Sequence, residues 1–241
     1  MNSRVNKLPI VLFLFISNLC IGQIKVGKII YERKINLEKE YKNDASSLES
    51  LKNNKIKIEE FELYFNDTCS IFKPIISDIP DKMSWATKQN TTYQNLNSRT
   101  RTVLMNVLGQ EIIVNDTLVK RNWKITDSKR MIGAYDCRKA IWYKNDSTRI
   151  YAWYSTEIIA NTGPEGFSDL PGTILGLATE DGGIAYFAKS VEILIPTTDN
   201  FLIDTKKKKV YTPAELNQKL IEKYGITDQG KNVIERLLRW L

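Results

Sequence analysis

Three times the sequence sets Asn-Asp and then Ser or Thr between runs of β-prone residues: FELYF-NDT-CSIF (61–72), EIIV-NDT-LVKRNW (111–123) and AIWYK-NDS-TRIYAWY (140–154). Asn and Asp tolerate left-handed backbone and close tight turns through their own side chains. The Ile, Val, Tyr, Trp and Thr on either side favour extended chain. Three such punctuations predict antiparallel hairpins. In a glycosylating host the same triplets are also sugar acceptors, but the turn reading needs no such host.

Other segments extend this plan. IKVGKIIYERKINL (24–37) reads as an opening strand anchored by Val26, Ile29 and Tyr31. Residues 38–54 are polar and loop-like, with room for a short helix. RIYAWYS (149–155) alternates, with Ile150, Ala152 and Tyr154 on one side and Tyr151, Trp153 and Ser155 on the other. Both sides carry apolar bulk, as in a strand that is covered twice or belongs to a curved sheet. GIAYFAKSVEILI (183–195) is a further strand. Helices come last, over about 212–241. Thr212-Pro213 is an N-cap followed by proline at the first helical position, and Gly225 closes that helix. In KNVIERLLRWL, Val233, Ile234, Leu237, Leu238 and Leu241 share one stripe. The expected architecture is a single β-rich α+β domain over 23–241. In it a curved antiparallel sheet of hairpins is covered on one side by the C-terminal helices. Of 241 residues, 42% are hydrophobic and 26% charged, enough for one sizeable core or two small ones.

The N-terminus sets the compartment. MNSRVNK is a short basic head and LPIVLFLFISNLCIG an apolar run too short for a typical membrane span. Cys20 and Gly22 are small residues placed for a cut before Gln23, so residues 1–22 read as a secretory signal peptide. An uncleaved anchor is the other reading of that run; a lipid-bearing start at Cys20 is disfavoured by the bulky Leu19 before it. The destination is the periplasm or the exterior, with no transmembrane segment after the signal is removed. The net charge is +7 and falls to +5 once Arg4 and Lys7 leave with the leader (7 − 2). That mild excess suits an acidic envelope surface, and no nucleic-acid motif accompanies it.

Export also permits a disulfide. The mature chain keeps Cys69 and Cys137. A bridge between them is the expectation, worth roughly 4 kcal/mol in the chain-entropy model, with two buried free thiols as the alternative. Histidine is absent altogether. That removes Ser-His-Asp and Cys-His catalysis and histidine-bound zinc. No cofactor and no metal site are expected.

GPEGFSDLPGTILGL (163–177) is the most unusual stretch, with glycines and prolines set beside core-like residues. Gly163-Pro164 and Pro171-Gly172 punctuate it, and Gly166 adds a third point of freedom. Phe167 and Leu170 between them are placed to plug a core before the chain re-enters a strand at Thr173. The stretch therefore reads as a rigid loop tucked inward. A functional version makes it the rim of a cleft, with Glu157, Glu165 and Asp169 pointing into it and Trp153 and Phe167 beside them. As loop acids, Glu165 and Asp169 are expected to add little to stability.

Several segments together carry a likeness. LPGTIL, the run WKITDSKRMIGAYDCRKA (123–140), YAWYSTEI (151–158) and GPEGFSDLPG (163–172) occur in one order. They resemble the GLPGLI family of exported bacterial proteins, whose function is unassigned. Asp169 stands where that signature has glycine, and Thr173 where it has leucine. If that glycine needs a positive φ, Asp is among the better substitutes. The likeness implies export and implies no chemistry. Two functional readings follow. The favoured one is a non-catalytic envelope protein that binds a lipid, a peptide or an outer-membrane protein partner. The other is a carboxylate-based hydrolase using Glu157, Glu165 and Asp169, whose carboxyls would then sit roughly 5 to 10 Å apart across a cleft.

Overall fold

A computed structural model describes residues 22–146 and 148–241; all but Gly22 of the expected leader lies outside them. The strands are β1 (Gly27–Asn36), β2 (Ile56–Phe65), β3 (Cys69–Pro74), β4 (Thr91–Asn95), β5 (Thr100–Val107), β6 (Gln110–Thr117), β7 (Lys124–Ile132), β8 (Tyr135–Asn145), β9 (Thr148–Ser155), β10 (Thr173–Thr179), β11 (Ile184–Glu192) and β12 (Lys209–Tyr211). The α-helices are α1 (Leu37–Glu40), α2 (Ala45–Leu51), α3 (Pro213–Tyr224) and α4 (Asp228–Leu238). The protein is β-rich, with one large open sheet and helices at the C-terminal end.

All twelve strands join in the order β12-β6-β5-β4-β3-β2-β1-β11-β10-β9-β8-β7. Two meanders thus meet at the β1–β11 pair, where Tyr31 lies opposite Ala188 and Ile35 opposite Ile184. The sheet is mixed, not wholly antiparallel as expected: β12 pairs with β6 in parallel. Only residues 118–123 connect β6 to β7, although ten strand spacings separate these two in the sheet order.

Two of the three Asn-Asp turns form. Asn66 Oδ1 accepts hydrogen bonds from the amides of Thr68 and Cys69, which turns β2 into β3. Asn145 and Asp146 lead from β8 toward β9. The second motif is not a turn: Asn115, Asp116 and Thr117 belong to β6. There Asp116 lies opposite Arg101 and its Oδ2 accepts from Arg101 Nη2 at 2.8 Å, so a charge partner on β5 holds it extended. The actual reversal is Leu108-Gly109, both at positive φ (52° and 89°).

Two apolar clusters result. The larger includes Ile29, Tyr31, Phe61, Phe65, Phe72, Ile174 and Tyr186. The smaller joins Val103, Met105, Ile112 and Val114 of β5 and β6 to Leu216 and Leu220 of α3 and Ile234 and Leu237 of α4. α3 starts at a capping box, in which Thr212 and Glu215 satisfy each other's backbone amides. The C-terminal stripe read from the sequence is the surface that packs on β5 and β6.

The expected disulfide is not formed: Cys69 and Cys137 are both free. They sit on β3 and β8, with β2, β1, β11, β10 and β9 between those strands. A bridge needs Cα atoms within about 7 Å, as directly paired neighbouring strands can offer, and β3 and β8 are not such neighbours. Burial, with help from Asp136 and Glu157, pushes the Cys137 thiol up to about 11, which makes it an inert core group.

Candidate functional site

The loop over 160–172 lies across the sheet and is held there by its own backbone geometry. Glu165, Gly166, Asp169 and Gly172 all have positive φ (54°, 74°, 71° and 147°). Asp169, at the signature's glycine position, does adopt the left-handed conformation. Gly172 has a second reason to be glycine, because a Cβ there would lie 2.1 Å from the Ser155 carbonyl oxygen. At Gly163 a Cβ would lie 2.7 Å from Ile174 Cβ. Pro164, Gly166, Phe167 and Leu170 are buried, and Pro171 is exposed. Phe167 is 1% exposed and meets the rings of Trp123, Trp142 and Trp240 at 6.2, 6.0 and 5.5 Å. Burying such a ring contributes about 1.5–3 kcal/mol. Trp123 Nε1 and Gln94 Nε2 donate to the carbonyls of Ser168 and Gly166, which satisfies the tucked backbone.

This loop separates two buried arginines. On one side is Arg33 of β1, with its guanidinium 4.5 Å from the Phe61 ring centre. It donates through Nε and Nη2 to Glu59 Oε2, through Nη2 to the Lys88 carbonyl and through Nη1 to Tyr186 Oη. Glu165 Oε1 lies 3.5 Å from Nη1 and accepts from Tyr186 Oη at 2.6 Å. Thr87 and Gln89 donate to the other oxygen of Glu59. Burial alone would lower the Arg33 pKa, but Tyr186, Glu59 and Glu165 outweigh it and hold it above the usual arginine value. Glu165 is 2% exposed, and burial raises its carboxyl despite the attraction of Arg33 and the hydrogen bond from Tyr186. Burial pushes Glu59 the same way, yet Arg33, Thr87 and Lys57 win and lower it.

On the other side is Arg121, which follows β6 and is 6% exposed. Its guanidinium lies 4.2 Å from the Phe167 ring centre and 5.3 Å from that of Trp142. Nη1 donates to the Gly166 carbonyl at 3.3 Å, and Nε has no partner among the described residues. No carboxylate of the described residues touches this guanidinium. Burial, followed by repulsion from Arg101, lowers its pKa to about 10. Asp169 bonds the Arg121 backbone amide and ion-pairs with Arg99 at 2.9 Å.

Beyond the Arg33 group lies a cleft of about 670 Å³. Its walls come from α1 and the turn after it, the tips of the β8–β9 and β10–β11 hairpins, and α4. Six basic side chains line it, namely Lys39, Lys42, Lys144, Arg149, Arg236 and Arg239, against the acids Glu40, Glu180, Asp181 and Glu235. An inner space of about 60 Å³ touches Arg33, Trp85, Asn90 and Trp240 and shares Glu40, Arg236 and Arg239 with the cleft. Asn90 is 8% exposed, and its Oδ1 has no partner among the described residues.

The expected set does not converge. Glu165 faces Arg33 and Tyr186, Asp169 faces Arg99 and Arg121, and Glu157 Oε1 accepts from the Asp136 amide. None of them lines the cleft. Trp153 packs with Phe187, Tyr151 and Arg130 on the face of β9 opposite Ile150. Trp142, which meets Phe167, pairs with Ile150 and so belongs to the other face. Sequence reading missed Arg33, Glu59, Tyr186 and Arg121. For Arg33, Glu59 and Tyr186 the sequence sign is a charge or a hydroxyl at a strand position otherwise due to be apolar, as in the alternation Ile29-Tyr31-Arg33-Ile35; Arg121, in the connection after β6, carries no such sign.

No family model matches the chain, and no curated protein matches it. Among solved structures, two crystal forms of PNGF-II resemble it. The C2 form has a TM-score of 0.53 at 16% identity over 87% of this chain and 32% of that one. The P21 form has a TM-score of 0.52 at 17% identity over 81% and 32%. This chain therefore spans about a third of the PNGF-II length. At such identity the likeness speaks for the fold alone.

Proposed function

We propose that the protein is an exported, non-catalytic binding module whose ligand occupies the cleft beneath α4. The cleft is the observation that carries this reading: its volume lies within the range of small-molecule sites, and its walls are polar and charged. The carboxylates that the hydrolase reading would use are otherwise engaged, with Glu165 on Arg33, Asp169 on Arg99 and Glu157 on the Asp136 amide. A lipid in the concavity of the sheet has less in its favour than a polar ligand, since Phe167 and Leu170 fill that region with the chain's own side chains.

The curvature of the sheet belongs to the same reading. Seven peptide steps from Thr117 to Lys124 reach at most about 25 Å, whereas ten spacings in a flat sheet take about 48 Å. Curling brings the two meanders round the 160–172 loop and leaves the cleft at one open end. Export from residues 1–22 and membership of the GLPGLI family complete the proposal. Residues 163–172 then act as the loop that sets the curled core, and do not contact ligand.

Native mass spectrometry on protein purified from its own envelope tests the reading. A retained small polar molecule, lost from a Lys42→Glu/Lys144→Glu variant that still folds, is the expected result. Retention of a diacyl lipid instead, or cleavage of a glycan substrate that disappears in Glu165→Gln, would overturn it.

A further inference from the structure

The cleft's charges do not cancel internally. Arg239 is held in a two-point pair with Glu40, Nη1 to Oε2 at 2.7 Å and Nη2 to Oε1 at 3.0 Å. Arg149 pairs with Glu180 at 2.8 Å, and Tyr151 donates to the same carboxylate. Asp181 accepts from Thr179 Oγ1 and the Gly183 amide, while Lys39 donates to the Asp181 carbonyl. Arg236 lies over the Tyr41 ring at 4.7 Å and 4.0 Å from Asp44. That leaves Lys42 with no carboxylate partner among the described residues, and Lys144 with only the Arg239 carbonyl at 2.7 Å. Glu235, exposed on α4, draws on Lys144 from beyond contact distance. Protein crowds the Lys144 ammonium even though solvent reaches it. Arg239 and Arg121 repel it as well, and it sits below the usual lysine range.

We infer that the cleft binds a small oxyanion, phosphate or carboxylate, carried on a hydroxylated body, with Lys42 and Lys144 as its charge partners. The inference rests on the binding reading above and names the ligand class for that site. An oxyanion at the cleft mouth would supply the countercharge that Lys42 and Lys144 lack, and would offset the Arg121 charge that Lys144 feels. Ammonium groups suit this role, being compact, mobile donors that accept anions of several shapes. The hydroxyls answer a second feature. Asn90 lines the smaller adjoining space and its Oδ1 needs a donor, and about 60 Å³ admits only a small polar group. The Glu40–Arg239 pair borders both spaces, so it lies between the anion position and the donor position.

Isothermal titration of the folded protein with glycerol 3-phosphate, inorganic phosphate and glycerol tests the inference. A parallel arm uses phosphatidylglycerol vesicles, which offer a similar headgroup as lipid. Glycerol 3-phosphate should bind, more tightly than inorganic phosphate, while glycerol alone should not. Lys42→Gln/Lys144→Gln should weaken binding about tenfold or more. A charge-matched control at exposed positions outside the cleft, Lys206→Gln/Lys207→Gln, should leave it within twofold. Vesicle binding that depends on Lys42 and Lys144 would assign the same chemistry to a lipid headgroup. Equal affinity for glycerol 3-phosphate and phosphate would remove the hydroxylated body from the inference. No binding of any anionic probe, with a neutral solute retained in native mass spectrometry, would overturn the oxyanion and leave the binding reading in place. No probe bound and nothing retained would overturn both.

Discussion

Arg33 and Arg121 are both buried against a phenylalanine ring on the two sides of one loop, yet only Arg33 is neutralised. Arg33 has Glu59, Glu165, Tyr186 and a carbonyl around it. Arg121 has one long bond to the Gly166 carbonyl and the faces of Phe167 and Trp142. Adjacent residues serve the two sites, the Glu165 side chain for Arg33 and the Gly166 backbone for Arg121. The difference teaches that burial alone says little about a charge's role. A saturated ion network specifies how β1, β2, β11 and the loop fit together. An under-compensated cation stores an unmet demand for negative charge, here close to a basic cleft.

The largest effect should come from breaking the saturated side. Glu59→Ala leaves the Arg33 guanidinium without its main partner and removes the acceptor of Thr87 and Gln89, while Lys57 keeps Asp81 and the Met83 carbonyl. Removing one member of a buried pair costs about 3–5 kcal/mol. Denaturant unfolding should show that loss, and a change below about 1 kcal/mol would mean that Glu165 alone suffices for Arg33.

Next comes the loop that both sites share. Gly172→Val forces a branched side chain into a φ of 147° and against the Ser155 carbonyl. Strain and overpacking each cost about 1–3 kcal/mol, so a loss of about 2–4 kcal/mol is expected. Near-ultraviolet circular dichroism of Trp123, Trp142 and Trp240 should change with it, because they pack on or bond to this loop. A wild-type melt would remove the loop from its place as the common wall.

The loop also shows what the sequence could and could not tell. Its turn residues, the plugs Phe167 and Leu170 and the left-handed Asp169 were legible, because each is a local consequence of residue type. The strands β1, β9 and β11, those flanking the Asn-Asp motifs and the C-terminal stripe were legible for the same reason, whereas β4, β5, β7 and β12 were not. The fate of Glu165 was not, since its partners lie on β1 and β11, 132 and 21 residues away. The structure overturns the premise that Glu165 is an exposed loop acid, since it is buried against Arg33 and Tyr186. Asp116 misled in the same way, as Arg101 on the neighbouring strand turned a turn-former into a strand residue. Sheet order is a non-local property too, and it separates Cys69 from Cys137.

The two carboxylates of the Arg33 site should titrate in opposite senses. Glu165 is raised in the folded state, so the folded protein binds its proton more tightly than the unfolded chain does. Its contribution to stability is complete below the ordinary value of 4.5 and is lost as pH rises through the folded value. Glu59 is lowered, so its contribution is present above 4.5 and is lost as pH falls through its folded value. Between pH 7 and pH 4, wild type should gain stability relative to Glu165→Gln. Below pH 4.5 it should lose stability relative to Glu59→Gln. One proton bound differently by the folded and unfolded chains limits either slope to about 1.4 kcal/mol per pH step of one. Parallel slopes for the two variants would show that the pair titrates as one unit.

The smallest effect is expected at Arg121, and its smallness is the point of contrast. Arg121→Met keeps the apolar length that packs on Phe167 and Trp142 and removes a buried charge that no carboxylate of the described residues contacts. The loss of the stacking, about 0.5–2 kcal/mol for a cation over aromatic faces, opposes relief of the burial cost and of repulsion from Arg101. Unfolding free energy should change by less than about 1 kcal/mol, in either direction. Arg33→Met should instead destabilise strongly, since it leaves Glu59 and Glu165 buried without their cation. Removing Arg121 also removes one of the charges that repel Lys144, so the Lys144 ammonium should titrate higher in the variant, as followed by nuclear magnetic resonance of the labelled lysine. If Arg121→Met instead unfolds the protein, the cation's contacts with Phe167 and Gly166 hold the loop in place. The two arginines would then differ in their partners but not in their importance to the fold.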